Sequence, residues 1–500
     1  MCLNEKCFNF DDFVGKKVAV VISGPGYLEY PWALETAQRL KNSGAFVSVF
    51  DLSDFALRYA MRLSLNGFRL PVATRKVLRK ILLSRRSLIE NSFAYQCSKN
   101  NILFRKLKSR KSLNIELVQK NLPLNSLTGV RWGELSALEI THSFLSSKAK
   151  RNLQLSDFVS KTEVYEIKTS ILETTEFARV LVNKNFDSFF VANGRQPVSA
   201  ALTTYLRGSG KIVHLYESAG GYIFQEELTP CIDYFESSPA NPVELQKKIM
   251  CDRFLDAKNI ENLEVIMERI RSRKSIAFGL DYLTDNSFSF NSNLLSPSKN
   301  YAFFTTTDWE VSVLYRHVNK DGNIDNQKNA VKAILSMISE TDKLFIRLHP
   351  SDPGNKADAD GFWKEFTCDS RVVLIDSHSR LNSYELAEKM NANFVWTSFL
   401  GFELSLRKLP VAVLGEAFYG PVLANNWIRT ENDLRRFISH PTNVESDNLH
   451  RYVNYLAFGG FPIMYSRTDR NRKIFIDNLQ VDKLKKAFSW LPEKYRLAIS

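Results

Sequence analysis

The chain has 500 residues, 44% of them hydrophobic and 24% charged, with a formal net charge of +13. This length favours two domains, and this composition is that of a folded globular protein rather than a disordered one. No stretch approaches the ~18 uninterrupted apolar residues of a membrane span, and the start of the chain lacks the apolar run of a secretory signal. We therefore expect a cytoplasmic protein. The six cysteines show no metal-binding spacing, which argues against a zinc site and against a disulfide framework.

The first predicted unit is a strand, a helix and a second strand. The apolar run KKVAVVISG (16–24) is followed by a helical stretch, PWALETAQRLKNSG, and by the strand AFVSVFDL, which is the pattern of a βαβ unit. Gly24 and Gly26 suggest a dinucleotide-binding turn, but the third glycine of that motif is replaced by Glu29, whose carboxylate would face a pyrophosphate. The pattern therefore disfavours a nicotinamide cofactor, and we expect the glycine turn to line a cleft.

A strongly basic segment follows between residues 61 and 111. It contains fourteen Lys or Arg and one acidic residue, Glu90, and its apolar residues alternate with the charges in a way that predicts amphipathic helices. Two interpretations stay open: a solvated helical face over a core, or attraction to an anionic inner membrane or an acceptor carried on one. Nucleic acid is disfavoured because the sequence contains no recognisable binding motif.

Alternation of strands and helices resumes after about residue 182. The strand DSFFVAN, a helix from near Gln196 and the strand KIVHLYE place Asn193 and Arg195 at the end of one parallel strand and Glu217 at the end of the next. Strand ends of this kind face ligands in a doubly wound sheet. The alternative is an ordinary Asn-Gly turn with an Arg–Glu pair.

The remaining sequence predicts a second α/β half. Asn/Ser-rich sequence at 275–299 is interpreted as a linker between an amino-terminal domain (1–274) and a carboxy-terminal domain (300–480), and a last helix at 481–500 is expected to cross back to the first domain. Apolar strands such as KLFIRLHP and NFVWTS alternate with helices in this half, as in a parallel sheet covered on both faces. We predict an α/β fold with two Rossmann-like domains, whose parallel sheets face a cleft.

Polar residues are concentrated at the strand ends of this second half. Arg347 lies within the strand FIRLHP and His349 at its end, while Thr397 and Ser398 are predicted at the start of the next helix but one. A helix start offers unpaired N–H groups, so hydroxyls and an imidazole there are compatible with a phosphate site. Glu403 lies five residues beyond Ser398 and is a candidate for binding a ribose hydroxyl. The alternatives are a simple helix cap and a buried core histidine.

Several segments resemble the bacterial capsule and surface polysaccharide biosynthesis glycosyltransferases of GT-B type. The residues that carry the resemblance are FFTTTDWE (303–310), Gln327, IRLHP (346–350), LNSYELAEKMNANFVWTSFLGFE (381–403), LPVAVLGEAFYG (409–420), VANGRQP (191–197) and HLYESAGG (214–221). The resemblance implies that His349, Thr397 and Ser398 hold the phosphate of a nucleotide-sugar donor. It also implies that the glutamate of the G-x-E helix, Gly401 to Glu403, contacts the nucleotide. Tyr384 of the same stretch is assigned to the cleft.

Sugar transfer from such a donor builds negative charge on the leaving phosphate, which Arg347, His349 and the helix start are suited to stabilise without a metal. The acceptor hydroxyl needs a general base. Glu217 is the first candidate, and Asp308 and Glu310 are alternatives. The expected partners are a nucleotide sugar, as co-substrate rather than cofactor, and a polysaccharide or lipid-linked oligosaccharide acceptor.

Three other functions stay open. One is a glycerophosphate or polyol-phosphate transferase of cell-wall polymer synthesis, which would share the sheet arrangement and the phosphate contact. Another is a non-catalytic subunit of a polysaccharide assembly complex. A nicotinamide oxidoreductase is the least favoured, because of Glu29.

Overall fold

The computed structural model describes part of the chain. The described residues are 8–23, 29–53, 55, 89–107, 131–132, 135–136, 161–192, 197–218, 231–236, 244, 248–249, 290–306, 324, 326–349, 363–377, 379, 381–444, 446–464, 467–468, 474–476 and 479–480. Outside them lie the predicted site residues Gly24, Gly26, Asn193, Arg195, Asp308 and Glu310, most of the basic segment, most of the linker and the predicted helix at 481–500.

The first sheet has seven strands. They are β1 (Lys17–Ile22), β2 (Phe46–Asp51), β3 (Leu103–Lys106), β6 (Ser188–Ala192), β7 (Ile212–Ser218), β8 (Cys231–Phe235) and β14 (Phe461–Pro462), and their order in space is β14-β8-β7-β6-β1-β2-β3. The strands from β7 to β3 are parallel, whereas β8 runs antiparallel to β7, and β14 runs antiparallel to β8. Its helices are α1 (Glu29–Asn42), α2 (Lys161–Val182) and α3 (Pro197–Gly208).

The second sheet has five parallel strands. They are β9 (Asn300–Phe304), β10 (Lys343–Arg347), β11 (Val372–Ile375), β12 (Ala392–Val395) and β13 (Val411–Val413), in the order β11-β10-β9-β12-β13. Its helices are α4 (Gln327–Met337), α5 (Ser383–Glu388), α6 (Leu400–Leu406), α7 (Glu431–Ser439) and α8 (Ser446–Phe458). Short ribbons are formed by β4 (Arg131–Trp132) with β5 (Leu135–Ser136), and by β15 (Arg467–Thr468), β16 (Ile474–Ile476) and β17 (Leu479–Gln480).

Each sheet is covered by apolar side chains on both faces. In β1, Val20 and Ile22 belong to one buried hydrophobic cluster, whereas Val21 belongs to another. In β9, Phe303 and Phe304 likewise belong to two different clusters. Successive strand residues point to opposite faces, so continuous apolar runs are what a doubly covered sheet requires. The predicted α/β fold with two parallel-dominated sheets is confirmed. The predicted domain boundaries stay a prediction.

Two element predictions are wrong. Leu103–Lys106, inside the segment predicted as basic helices, forms the edge strand β3 beside β2, while residues 89–99 are helical. The helix after β12 begins at Leu400, so Thr397 and Ser398 precede it. The backbone N–H of Thr397 is bonded to another strand end, as described below, and it therefore takes no part in a helix start.

Candidate functional site

The centre of the second sheet brings three strand ends together. β9 lies between β10 and β12, and it is followed directly by Thr305 and Thr306. The Thr305 hydroxyl oxygen accepts a hydrogen bond of 2.9 Å from the backbone N–H of His349, after β10. The Thr306 hydroxyl oxygen accepts one of 3.1 Å from the backbone N–H of Thr397, after β12. These two threonines therefore join His349 and Thr397 to one strand end.

Gln327, the first residue of α4, holds Thr306 in place. Its Oε1 accepts from the Thr306 N–H at 2.8 Å, and its Nε2 donates to the Thr306 carbonyl at 2.8 Å. A side-chain amide that pairs with one peptide group in this way fixes the orientation of that peptide. No individual role was predicted from sequence for Thr305, Thr306 or Gln327. The signal that could have identified them is a pair of hydroxyl residues directly after the central strand.

The hydroxyl of Thr397 is buried without a hydrogen-bond partner. Thr397 is 9% exposed, and its Oγ1 bonds to no other atom of the described residues. Its methyl group packs against Gly415, because a Cβ added there would lie 2.8 Å from Thr397 Cγ2. Leaving a buried hydroxyl unpaired costs about 1–3 kcal/mol, so such a group is suited to bind a ligand.

Ser398 lies beside Thr397 and is half-buried. Its carbonyl accepts hydrogen bonds from the Tyr419 hydroxyl and from the Gly401 N–H at 3.0 Å. Its own hydroxyl accepts only a long bond of 3.4 Å from the Leu400 N–H. Among the described residues, the N–H groups of Ser398 and Phe399 have no acceptor.

His349 is half-buried and neutral at physiological pH. Burial, followed by the positive charge of Arg347, lowers the pKa of the His349 imidazole to about 4. A neutral imidazole presents one N–H donor and one acceptor nitrogen. His349 can thus donate a hydrogen bond to an anionic oxygen, but it does not bring a positive charge of its own.

Arg347 is held by the loop after β11. It is 1% exposed, its NH1 donates to the Asp376 carbonyl, and its NH2 donates to the Ser379 carbonyl at 2.9 Å, while its Nε has no partner. A guanidinium buried within a sheet needs local acceptors, and here two of its three nitrogens donate to main-chain oxygens. The direct phosphate contact of Arg347 stays a prediction. Burial lowers its pKa to about 10, so the side chain stays charged at neutral pH.

Glu403 and Tyr384 form a buried pair. Glu403 is 3% exposed and its Oε2 accepts a hydrogen bond of 2.7 Å from the Tyr384 hydroxyl, and Tyr384 is itself 2% exposed. Two residues before Glu403, a Cβ at Gly401 would lie 2.6 Å from Tyr419 Oη, so α6 packs closely against Tyr419 at this point. The side chains of Glu403 and Tyr384 are thus buried and bonded to each other, and the cleft position of Tyr384 and the ribose contact of Glu403 stay predictions.

A second buried carboxylate follows β13. Glu416 is 3% exposed and forms an ion pair with Arg429 NH1. Burial raises the pKa of the Glu416 carboxyl, and the Arg429 charge opposes that shift. The Arg429 guanidinium lies 4.3 Å from the centroid of the Trp427 ring, and Trp427 Nε1 donates to the Gly415 carbonyl at 3.1 Å. Glu416 lies in the segment 409–420 that carries the family resemblance, but no role was predicted for it.

Glu217 lies one residue before the end of β7, as predicted. It is half-buried and pairs in register with Asp233 of β8. Directly opposed residues of antiparallel strands share a face of the sheet, so Glu217 lies on the same face as Asp233. Asp233 is fully buried and accepts hydrogen bonds from Lys248 Nζ at 3.0 Å and from the Tyr455 hydroxyl of α8 at 2.9 Å.

The described residues contain neither a metal-binding cluster nor a membrane-spanning helix. No three or more His, Cys, Asp or Glu side chains in that part of the chain are arranged to hold a metal ion. Within the same residues, no helix is both long enough and apolar enough to cross a bilayer.

Comparison with known proteins identifies the second half of the chain. Residues 283–457 match the family model described as capsule polysaccharide biosynthesis protein. This region belongs to the capsule polysaccharide biosynthesis family. The family predicted from sequence is thereby confirmed, and the matched region contains both threonines, Gln327, His349 and Thr397. No curated protein matches the chain.

Solved structures of low similarity were also found. A KpsC, beta Kdo 2,4 transferase, from Thermosulfurimonas dismutans is 10% identical, with 54% of this chain and 79% of that chain covered and a TM-score of 0.35. A UDP-GlcNAc 2-epimerase from Neisseria meningitidis is 11% identical over 89% of this chain and 97% of that one, with a TM-score of 0.27. A glycosyltransferase from Rickettsia africae is 10% identical over 90% and 95%, with a TM-score of 0.24. At these sequence identities and TM-scores, the structural similarity gives no evidence about function.

Proposed function

We propose that the chain is a glycosyltransferase of surface polysaccharide synthesis, and that it binds the phosphate of a nucleotide-sugar donor at the ends of β9, β10 and β12. The observation that carries this proposal is the buried hydroxyl of Thr397, which has no hydrogen-bond partner among the described residues. The backbone N–H of the same residue is bonded to the Thr306 side chain at the central strand end. The family of residues 283–457 supports a role in capsule polysaccharide synthesis.

The donors at these strand ends suit a leaving phosphate. The neutral imidazole of His349, the hydroxyl of Thr397 and the N–H groups of Ser398 and Phe399 are all hydrogen-bond donors. Negative charge on the phosphate grows as the bond to the sugar breaks, so donors already fixed in place stabilise the transition state more than the ground state. The network of Thr305, Thr306 and Gln327 supplies that rigidity. Arg347 adds positive potential from behind the strand end.

The acceptor in this proposal is a polysaccharide or a lipid-linked oligosaccharide. Its hydroxyl must lose a proton during transfer, and we assign that role to Glu217, a half-buried carboxylate near the end of β7. Asp308 and Glu310 are the alternative bases, and both lie outside the described residues. A Glu217→Gln variant should lower turnover much more than donor affinity.

The test compares Thr397→Val with Thr397→Ser. Valine keeps the volume and the methyl packing of threonine and removes only the hydroxyl, whereas serine keeps the hydroxyl. Purified variants are assayed with a panel of sugar nucleotides, including CMP-linked acidic sugars, and with CDP-glycerol. We expect Thr397→Val to lose turnover by about 10²-fold and Thr397→Ser to retain most of it.

A matched control is available in the first half of the chain. Thr203 of α3 is also buried, and its Oγ1 also has no hydrogen-bond partner. Thr203→Val should leave turnover at the wild-type level. Wild-type turnover in Thr397→Val would defeat the proposed phosphate site. Turnover of CDP-glycerol alone would assign the chain to polyol-phosphate transfer.

A further inference from the structure

The strands of the second sheet end in register at its carboxyl edge. Phe304 of β9 pairs with Arg347 of β10 on one side and with Val395 of β12 on the other. Val395 pairs with Val413 of β13, which forms a parallel bridge with Trp427. The chain at Trp427 therefore extends this row of the sheet by one position beyond β13.

Arg429 lies level with the proposed phosphate site at this edge. Two residues beyond the paired row, the chain reaches, in spatial order, His349, Thr306, Thr397, Gly415 and Arg429. Neighbouring strands are about 4.8 Å apart, so the backbone of Arg429 lies about 10 Å from that of Thr397.

Direct contacts connect Arg429 to Thr397. The Thr397 methyl packs against Gly415, and the Gly415 carbonyl accepts a hydrogen bond of 3.1 Å from Trp427 Nε1. The Trp427 ring also packs on Gly420, where an added Cβ would lie 2.7 Å from its Cε2. The guanidinium carbon of Arg429 lies 4.3 Å from the centroid of the same ring. Trp427 therefore holds Arg429 at a defined position relative to Thr397.

The guanidinium of Arg429 is supported on one side and exposed on another. Its NH1 donates to Glu416 Oε1, and the Glu416 side chain is 3% exposed, whereas that of Arg429 is 39% exposed. Because the buried carboxylate balances the guanidinium charge, the pair adds little net potential that would attract a second anion. A planar guanidinium that lies over an aromatic ring can instead stack with another flat ring on its open face.

We propose that the base of the nucleotide-sugar donor stacks on the exposed face of Arg429. This inference rests on the proposed function, because the phosphate bound at Thr397 fixes the other end of the nucleotide. Nucleic-acid bases stack on arginine guanidinium planes as they do on aromatic side chains. The ribose separates the base of a nucleotide from its phosphate, which suits the distance of about 10 Å along the sheet edge.

The test is titration calorimetry of the full chain with nucleotides that carry no sugar. The probes are the mono- and diphosphates of uridine, cytidine, guanosine and adenosine, together with ribose 5-phosphate, which lacks the base. Arg429→Lys keeps the charge and an ion pair with Glu416 but removes the planar guanidinium. We expect Arg429→Lys to weaken binding of the preferred nucleotide about tenfold and to leave binding of ribose 5-phosphate unchanged.

Arg39→Lys is the matched control. Arg39 Nε pairs with the buried Glu35 at 2.6 Å, and its guanidinium carbon lies 5.3 Å from the centroid of the Phe461 ring. Arg39 belongs to α1, which packs on the first sheet. Arg39→Lys should therefore bind every probe like the wild type.

The outcomes separate this proposal from the proposed function. Wild-type nucleotide binding by Arg429→Lys would overturn the stacking proposal alone, and so would an equal loss of affinity for the nucleotide and for ribose 5-phosphate. Thr397→Val should weaken binding of both kinds of probe, so unchanged binding by Thr397→Val would count against the phosphate site instead. A wild-type chain that binds none of the nucleotides would overturn both proposals.

Discussion

Replacing Thr397 by valine should stabilise the protein while it removes activity. The Thr397 hydroxyl is buried without a partner, and such a group costs about 1–3 kcal/mol when it is desolvated. Valine is nearly the same shape, so the methyl contact with Gly415 is kept and no cavity forms. We expect the free energy of unfolding to rise by about 1 kcal/mol, measured by urea denaturation at pH 7 without ligand.

The sign of this change is informative because a bonded hydroxyl gives the opposite result. Thr36 Oγ1 donates to the Trp32 carbonyl at 2.8 Å and lies 3.1 Å from the Tyr234 hydroxyl oxygen. Thr36→Val should therefore lower the free energy of unfolding by about 1 kcal/mol. Destabilisation of Thr397→Val by a similar amount would refute the reasoning, because it would mean that the Thr397 hydroxyl has a partner in the unliganded protein.

Three further predictions concern packing and charge. Gly401→Ala places a Cβ 2.6 Å from the Tyr419 hydroxyl oxygen and should lower the urea midpoint at a net cost of about 1–2 kcal/mol; an unchanged midpoint would contradict this packing. Tyr384→Phe removes the hydroxyl that donates a hydrogen bond to the buried Glu403 carboxylate. It should lower the free energy of unfolding by about 1–3 kcal/mol, and a melting curve identical to that of the wild type would refute this. Burial, followed by nearby positive charges, lowers the pKa of the His214 imidazole in the folded protein to about 4. Between about pH 6.5 and pH 4 this histidine is therefore protonated in the unfolded chain but not in the folded one. The free energy of unfolding should fall as the pH decreases through this range. His214→Phe should flatten that decline, and urea midpoints measured across this range decide it.

Continuous apolar runs made most of the fold predictable. KVAVVI and KLFIR read directly as buried strands because both faces of each sheet are covered. The antiparallel strands β8 and β14 could not be predicted in the same way. β14 has two residues, which is too short for any periodicity, and it forms only because α8 delivers the chain to the edge of β8.

The candidate site was predictable in its residue types but not in its connections. His349 and Thr397 could be chosen because each follows a strand. Their link through the two threonines after β9 depends on the spatial order β10-β9-β12, which no local pattern specifies. The main-chain partners of Arg347 could not be predicted, because a strand position does not reveal which carbonyls the guanidinium reaches.

The short strand β14 has a consequence for the order of folding. It covers the outer edge of β8, and it is synthesised only after every strand of the second sheet. In a growing chain that has not yet reached Phe461, the outer edge of β8 would expose a row of unpaired main-chain N–H and C=O groups. Such an edge can pair with the same edge of another nascent chain. The first sheet can therefore be completed only after the strands of the second sheet have been synthesised.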